Sequence, residues 1–434
     1  DVQVLGRCCK LLGAWSHIEA SLRAAVLTEG AGHALVTLMT ANMATPELLD
    51  EALTVAEQFC VAGAPPDAPE PEEPVPEHQA LIDAGLLEAL IQTLEIHHDN
   101  GPLALRCTAP LTQLTAFMTD AYRRALYSKR AVQAMLGAMR GDLGNAELHR
   151  AMCWLFEKHG LDHEGYGLLV SQNGGVRTMA QVMECHSEDP AVVHKALEVV
   201  SNVSEEEASI PTLHRELPAV SLLALLGRHP ESEVIQETIA FVVGKVGHLY
   251  PTEAVSAGAV GLMAALIPAY PQNAEILQYA WIALQKLFGC PQASVTEIEA
   301  QSLVEALPVS LGLEGLVLPC LAALIAMTTP PDTATLFARQ CLHAPVVALL
   351  LTSRPKAGGT GQGGADVPMA CCNILANLTA RGDDARARVA DEPTCLPALL
   401  QLVSAPEASP ESAIWGFKLL GNLVLNANVC RQLI

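Results

Sequence analysis

The fold is decided by a short stretch, Gly258-Ala-Val-Gly-Leu-Met-Ala-Ala-Leu266, in which a glycine is followed by an apolar run. The same pattern returns at Gly85-Leu-Leu-Glu-Ala-Leu-Ile-Gln-Thr-Leu94, and weaker copies occur along the chain. Nine copies can be assigned, each with one core residue as its anchor: Leu35, Leu90, Met135, Met179, Leu222, Leu262, Leu307, Val346 and Leu399. Six of the eight separations between successive anchors lie between 39 and 45 residues. A recurrence of roughly 40–47 residues is typical of two- and three-helix repeats.

A second, longer helix is predicted after each copy. Its start is marked by a capping residue and a proline, as at Asp189-Pro190 and Ser409-Pro410, because such a pair satisfies and pre-shapes the first helical turn. A short helix before the glycine, such as 80–84 or 252–257, makes three helices per repeat. The predicted long helices span 47–62, 101–117, 146–159, 190–204, 232–248, 273–288, 316–328, 366–380 and 410–425.

The two longest separations between anchors are explained by insertions. Residues 63–77 are rich in proline and glutamate, and proline-rich acidic sequence forms neither helix nor core. Residues 353–365 are rich in glycine, which is typical of a flexible linker. We therefore predict a single repeat array over 1–434, interrupted by two surface loops at 63–77 and 353–365.

The ends of the long helices carry a family resemblance. Asn373-Ile-Leu-Ala-Asn-Leu-Thr379 and Lys418-Leu-Leu-Gly-Asn-Leu423 are similar to the end of the third helix in armadillo repeats. HEAT repeats are close relatives, but their pattern of proline and arginine is absent here. The resemblance implies an all-α fold, a right-handed α-solenoid (superhelix) of about nine three-helix armadillo-like repeats. On this alignment the chain opens inside a third helix, at 7–13, and closes in a first helix, at 428–434, so we expect it to be part of a longer chain.

The resemblance also implies where a partner binds. In armadillo proteins the third helices line a groove, and two positions four residues apart in each repeat point into it. In this chain, the groove positions that we select as partner-binding candidates are Gln58, Gln113, Asn202, Phe241, Lys245, Ile282, Lys286, Asn373, Asn377, Lys418 and Asn422. The remaining groove positions are Thr54, Ala109, Cys153, Glu157, Glu198, Ala322 and Ala326.

Departures from the family pattern narrow the class of partner. Armadillo proteins that import nuclear cargo hold basic peptides with repeated tryptophan and asparagine, but here the tryptophan positions are occupied by other residues. The four tryptophans, Trp15, Trp154, Trp281 and Trp415, are expected in the core instead. Lys245 and Lys286, beside Phe241 and Ile282, suit an extended acidic-hydrophobic segment; the alternative is that both lysines only extend along a helix edge.

Composition excludes several classes of function. The chain has 25 Lys and Arg against 47 Asp and Glu, a net charge of -22, which argues against nucleic acid or an anionic membrane as partner. Its longest uncharged apolar stretch, 315–327, is shorter than a membrane span and contains Pro319, so no membrane insertion is expected. Thirteen cysteines without any CxxC pair indicate reduced thiols in a cytoplasmic protein.

No catalytic, metal or cofactor site is predicted. Residues 359–364 match G-x-G-x-x-G, but no strand precedes them, and we interpret them as linker. His159 and His163 are the nearest approach to a paired metal site, and they flank a helix end, where histidines commonly bind carbonyl groups.

We therefore predict a non-catalytic protein-interaction scaffold in a larger complex, with no cofactor. Location in the cytoplasm follows from the thiols, and a cytoskeletal or ciliary complex is a hypothesis by family analogy. Two alternatives stay open: a regulatory arm of an enzyme whose catalytic domain lies outside this segment, and a regulator of a small GTPase.

Overall fold

The computed structural model describes residues 11, 25–60, 76–115, 125–162, 164–353, 366–380, 382–392, 394–404 and 409–426. Throughout these residues the secondary structure is helical and contains no strand. Both predicted insertions lie outside the described residues, apart from 76–77 and Ser353, and so do nearly all of the terminal helices predicted at 7–13 and 428–434.

The helices fall into two compact units that divide between Leu217 and Pro218. Unit 1 contains α1 (Ala31–Ala41), α2 (Pro46–Cys60), α3 (Pro76–Asp83), α4 (Leu86–Ile96), α5 (Gly101–Thr115), α6 (Lys129–Gly141), α7 (Ala146–Asp162), α8 (Tyr166–Gln172), α9 (Gly175–Cys185), α10 (Pro190–Glu205) and α11 (Ile210–Glu216). Unit 2 contains α12 (Ala219–Arg228), α13 (Glu233–Leu249), α14 (Pro251–Ser256), α15 (Ala259–Ala269), α16 (Ala274–Leu287), α17 (Glu297–Gly312), α18 (Val317–Thr328), α19 (Pro331–Arg339), α20 (His343–Thr352), α21 (Asp366–Thr379), α22 (Asp383–Asp391), α23 (Cys395–Ser404) and α24 (Pro410–Val424). A single array over 1–434 stays a prediction.

Local sequence explains where these helices begin. Gly85 and Gly258 adopt the left-handed conformation, with φ near 90°, at the turn into the second helix of their repeats, and glycine adopts it without steric cost. Several third helices begin at side-chain caps: Asp189 Oδ1 accepts from the Ala191 amide at 3.0 Å, and Asn273 Oδ1 accepts from the Ile276 amide at 3.0 Å. The start signal predicted at Asp189-Pro190 is therefore confirmed. No side-chain cap is formed at the start of α13, where Ser232 stands, or at the start of α18.

The core of each unit lies between neighbouring repeats. The third helices α2, α5, α7 and α10 pack in succession in unit 1, and α13, α16, α18, α21 and α24 do so in unit 2. Small residues allow close approach, because a Cβ atom placed on Gly244 of α13 would lie 3.7 Å from Ala283 of α16. Nine second helices and nine third helices are present in the described residues, which confirms the repeat number.

Two details differ from the predicted repeat. Leu262 was the expected anchor of the sixth copy, but it is 37% exposed, whereas Met263 is fully buried. Both residues are apolar and adjacent, so the sequence pattern alone placed the buried face one residue too early. In addition, residues 288–296 form turns and extended chain instead of a short first helix, and Thr296 then caps α17 through a reciprocal bond with Glu299.

Several helices are strongly apolar because they are buried on more than one side. Among the described residues, no single helix is long and apolar enough to cross a membrane. The pair α19 and α20, bent by 84°, passes the same test by length and composition only. Phe337 and Val346 of this pair, and Leu342 between the two helices, are fully buried in the core of unit 2.

Candidate functional site

The third helices carry all of the predicted partner-binding residues. Gln58 lies on α2, Gln113 on α5 and Asn202 on α10, all in unit 1. In unit 2 the predicted residues are Phe241 and Lys245 on α13, Ile282 and Lys286 on α16, Asn373 and Asn377 on α21, and Lys418 and Asn422 on α24. Each of these residues is at least partly exposed, so the predicted face is a surface within each unit. Their role in partner binding stays a prediction.

One predicted groove position is wrong. Cys153 on α7 is fully buried and its thiol lies 3.6 Å from Met179 Sδ, and burial raises the pKa of this thiol. Its neighbour Trp154 is half-buried instead of lying in the core. A helix that packs on several sides has apolar residues all round. The sequence pattern therefore predicted the exposed side of α7 one residue too early.

The other tryptophans divide in the same way. Trp281 is fully buried, and its indole N–H donates to Ser310 Oγ at 3.4 Å, which confirms the core prediction for this residue. Trp415 is half-buried, and the Lys418 ammonium lies 3.9 Å from the centre of its ring. Trp15 lies outside the described residues.

Three of the predicted asparagines bind the preceding third helix. The side-chain amide of Asn202 donates to the Glu157 backbone carbonyl at 3.1 Å, and that of Asn422 donates to the Ala376 carbonyl at 2.8 Å. Asn377 donates in the same way to Thr328 Oγ1 at 3.3 Å. Each amide has two donor hydrogens, so at least one of them in each residue is used to connect repeats.

The third-helix face of unit 1 neutralises its own charges. Lys195 on α10 forms an ion pair with Glu157 on α7 at 2.7 Å, and His194 lies 2.8 Å from Glu198. Burial and the neighbouring Glu198 carboxylate raise the pKa of Glu157 in spite of Lys195, while the hydrogen bond from His194 lowers the pKa of Glu198. The side chains on this part of α7 and α10 are thus already engaged with one another.

A second ionic cluster lies on α2 and α5 of the same unit. The Arg106 guanidinium forms ion pairs with Asp50 and Glu57, each at 3.2 Å, and donates a short hydrogen bond to Thr54 Oγ1. Thr54 was a predicted groove position, and here its hydroxyl binds within the protein. Such partly exposed ion pairs contribute little stability, but they reduce the charge that a partner would meet.

The corresponding face of unit 2 has a different chemistry. Phe241 on α13 and Tyr279 on α16 meet edge to face with ring centres 5.1 Å apart, and the Lys245 ammonium lies 4.9 Å from the centre of the Phe241 ring. Ile282 and Lys286 continue this surface along α16 at i+3 and i+7 from Tyr279. We call these five residues the aromatic-lysine surface.

Sequence reasoning missed Tyr279 because it considered only two positions in each third helix. An aromatic residue three positions before a predicted groove residue lies on the same helix face, so the signal was present. Its ring is half-buried against Phe241, which holds both aromatic side chains in place at the surface.

Comparisons with known proteins agree with this architecture. No protein-family model and no curated protein sequence matches the chain. An engineered protein is 17% identical with a TM-score of 0.66, covering 98% of this chain and 96% of its own. A structure from a study of the interaction between cadherin and beta-catenin is 11% identical with a TM-score of 0.53, covering 97% and 90%. UNC-45 from Drosophila melanogaster is 14% identical with a TM-score of 0.62. The match includes all of this chain and 58% of the UNC-45 chain.

These likenesses show the fold. The chain is an all-α helical-repeat protein with the armadillo-like solenoid architecture that its sequence predicts. In such solenoids each repeat contacts only its neighbours, which leaves long helical faces at the surface.

Proposed function

We propose that the protein is a non-catalytic interaction scaffold and that the aromatic-lysine surface of unit 2 holds an extended acidic-hydrophobic segment of a protein partner. The observation that carries the proposal is the meeting of Phe241, Tyr279 and Ile282 with Lys245 and Lys286 on two neighbouring third helices. The geometry supplies an apolar contact area and two cations within one surface.

Each part of this surface has a defined task. An aliphatic or aromatic side chain of the partner would pack on the exposed portions of the Phe241 and Tyr279 rings, because aromatic residues supply large contact areas at low entropic cost. A carboxylate next to that side chain would approach the lysines. Lys286 forms no ion pair with any residue in the described part of the chain, so its charge is available to a partner.

The contrast with unit 1 supports the choice of face. There, Lys195 is bound to Glu157 and Arg106 to two carboxylates, so a partner carboxylate would have to displace an existing ion pair. In unit 2, Lys286 forms no ion pair with any described residue, so a partner carboxylate can approach it without displacing one. The Lys245 ammonium beside it lies over the Phe241 ring.

The test is selection of peptides from a random phage-displayed library on the full chain. We expect the selected peptides to combine an apolar residue with an adjacent Asp or Glu. The best peptide, measured by fluorescence polarisation, should bind the double variant K245E/K286E at least tenfold more weakly. The matched control is K129E/R228E, which makes the same change of charge at exposed positions on α6 and α12.

The proposal is wrong if the selected peptides lack carboxylates, or if K245E/K286E and the control bind them equally well. Loss of binding in both variants would indicate a general effect of charge and would also count against a defined surface.

We also propose a cytoplasmic location and a place in a larger assembly. The ten cysteines in the described residues are free thiols, and most of them are buried, as is usual in reducing compartments. Isolation of the protein from its source under mild conditions should recover it in a complex larger than the mass of a single chain. Recovery as a monomer would refute the assembly.

A further inference from the structure

A polar pocket of about 480 Å³ opens at one edge of unit 2. It is formed where α18 and α21 end and where the short helices α19 and α22 run past them. Its walls carry Asn377, Arg339, Arg388, Asp383 and Asp384, with small residues such as alanine and threonine between them. A volume of this size suits a ligand of a few residues or a small organic molecule.

Neither arginine in this pocket pairs with an acidic residue in the described part of the chain. Arg339 forms no ion pair with any described residue, and the Arg388 guanidinium donates only to neutral groups: the Arg339 carbonyl at 3.3 Å, the Ala338 carbonyl at 3.5 Å and Cys341 Sγ at 3.5 Å. Six of the ten described arginines pair with carboxylates instead: Arg106, Arg130, Arg150, Arg177, Arg215 and Arg386. In a protein of net charge -22, two such guanidinium groups in one pocket indicate an anionic ligand.

The acidic side chains in the pocket restrict which anionic ligand can bind there. Asp383 is bound by Arg386 at 2.7 Å, and Arg386 also donates to the Thr379 and Ala380 carbonyls at the end of α21. Asp384 is exposed and has no ion pair in the described part of the chain. Its carboxylate would repel a free phosphate, whereas it would accept hydrogen bonds from a ligand that also carries N–H groups.

A peptide satisfies both requirements, because it combines a carboxylate with backbone amides. We infer that this pocket binds the carboxylate of a short peptide segment, with Arg339 and Arg388 as the partners of the carboxylate and with Asp384 and Asn377 as the partners of neighbouring backbone groups. Arginine suits this task because its planar group binds a carboxylate through two parallel hydrogen bonds. Asn377 retains a carbonyl oxygen for a peptide N–H while its amide donates to Thr328.

The test uses four small probes with the full chain. Binding of the three peptides is followed by ligand-observed saturation-transfer NMR, and inorganic phosphate, which has no C–H protons, is added as a competitor whose binding reduces the peptide signal. Acetyl-Ala-Glu-amide offers a side-chain carboxylate, and acetyl-Ala-Ala offers a C-terminal one. Acetyl-Ala-Gln-amide is the neutral control, and inorganic phosphate is the simple anion. We expect at least one carboxylate peptide to bind, and the peptide that binds identifies the source of the carboxylate.

Variants locate the site. R339Q and R388Q should each weaken the binding by about tenfold or more, since each removes a charged hydrogen-bond donor. R228Q is the matched control, because Arg228 is an exposed arginine of the same unit without an ion pair in the described residues. R339Q breaks no hydrogen bond of its own side chain within the described structure, so it stays informative if R388Q folds poorly.

The inference is overturned if neither carboxylate peptide binds, if the glutamine peptide binds equally well, if phosphate binds more tightly than the peptides, or if R339Q binds like R228Q. The site is independent of the aromatic-lysine surface. R339Q should leave binding of the phage-selected peptide unchanged, and K245E/K286E should leave binding of the small probes unchanged.

Discussion

The contact between Asn202 and Gly160 gives the sharpest test of how the repeats are joined. Asn202 of α10 reaches α7, and a Cβ atom placed on Gly160 would lie 2.6 Å from its Nδ2 and 3.0 Å from its Cβ. We consider the variants Gly160→Ala and Asn202→Ala, singly and together. In this double-mutant cycle, Gly160→Ala adds a methyl group to a contact that is already full, and Asn202→Ala removes the side chain that fills it.

The expected magnitudes follow from these distances. Gly160→Ala gains about 1 kcal/mol of helix propensity but loses about 1–3 kcal/mol to overpacking, so we expect a net destabilisation of up to about 2 kcal/mol. Asn202→Ala loses the hydrogen bond to the Glu157 carbonyl, which costs about 1 kcal/mol. Because the shortened side chain at position 202 leaves room for the methyl group added at position 160, the double variant should be more stable than the sum predicts by about 1 kcal/mol.

A matched control separates packing from helix propensity. Gly137 of α6 is also a helical glycine, but a Cβ atom there would lie 3.8 Å from the nearest atom, His98 Cβ, which is ordinary contact. Gly137→Ala should therefore stabilise its helix by up to about 1 kcal/mol.

The assay is amide hydrogen exchange resolved to α7 and α10, together with urea unfolding of the full chain, because the stability of repeat proteins is largely local. Additive effects within about 0.5 kcal/mol would refute the predicted contact between Gly160 and Asn202. So would a Gly160→Ala variant as stable as Gly137→Ala.

Three further predictions concern the core. Met263→Ala should lower the free energy of unfolding by about 2–5 kcal/mol, whereas Leu262→Ala should cost less than about 1 kcal/mol; urea unfolding that ranks them in the opposite order would restore Leu262 as the anchor. Burial lowers the pKa of His159 from its ordinary value of 6.5 to about 4, so its stabilising contribution is complete above pH 6.5 and falls by up to about 3 kcal/mol as the pH drops to 4. His159→Phe should reduce this acid dependence in unfolding measured from pH 7 to 4, and an unchanged slope would contradict the burial of His159. Cys153 should react with iodoacetamide far more slowly than the exposed Cys185 in peptide-resolved mass spectrometry, and equal rates would argue that Cys153 faces solvent.

The repeat could be predicted from sequence because its signals are local and recur. The helix predicted at 190–204 is observed as Pro190–Glu205, since Asp189 caps it and Pro190 fits its first turn. The same holds for Pro410–Val424, which Ser409 caps. Each of these signals depends on a few neighbouring residues and needs no knowledge of tertiary contacts.

The side that a residue faces was harder to predict. Leu262 and Met263 are adjacent and apolar, and so are Cys153 and Trp154, but one of each pair is buried and the other is not. In a helix with apolar residues on several sides, periodicity does not fix the rotation to within one residue. The buried side is decided by the neighbouring repeat, whose position the local pattern does not contain.

The same reasoning explains why the asparagines are ambiguous as site residues. An amide four residues after another groove position fits an extended partner peptide, but Asn202, Asn377 and Asn422 each find an acceptor on the preceding third helix. That acceptor lies 45 to 49 residues earlier in the chain, so its distance depends on how the repeats stack.

Net charge, which argues against nucleic acid as a partner, does not tell which protein segment can bind. The total of -22 suggests a chain that repels acidic partners, yet at short range the arrangement of charges decides. Lys195 is neutralised by a neighbouring carboxylate, whereas Lys286, Arg339 and Arg388 form no ion pair in the described structure. Since screening limits the field of distant charges to roughly 8 Å in physiological salt, the charges that an acidic segment meets on unit 2 are those next to it: Lys286 on the aromatic-lysine surface, or Arg339 and Arg388 with Asp383 and Asp384 in the pocket.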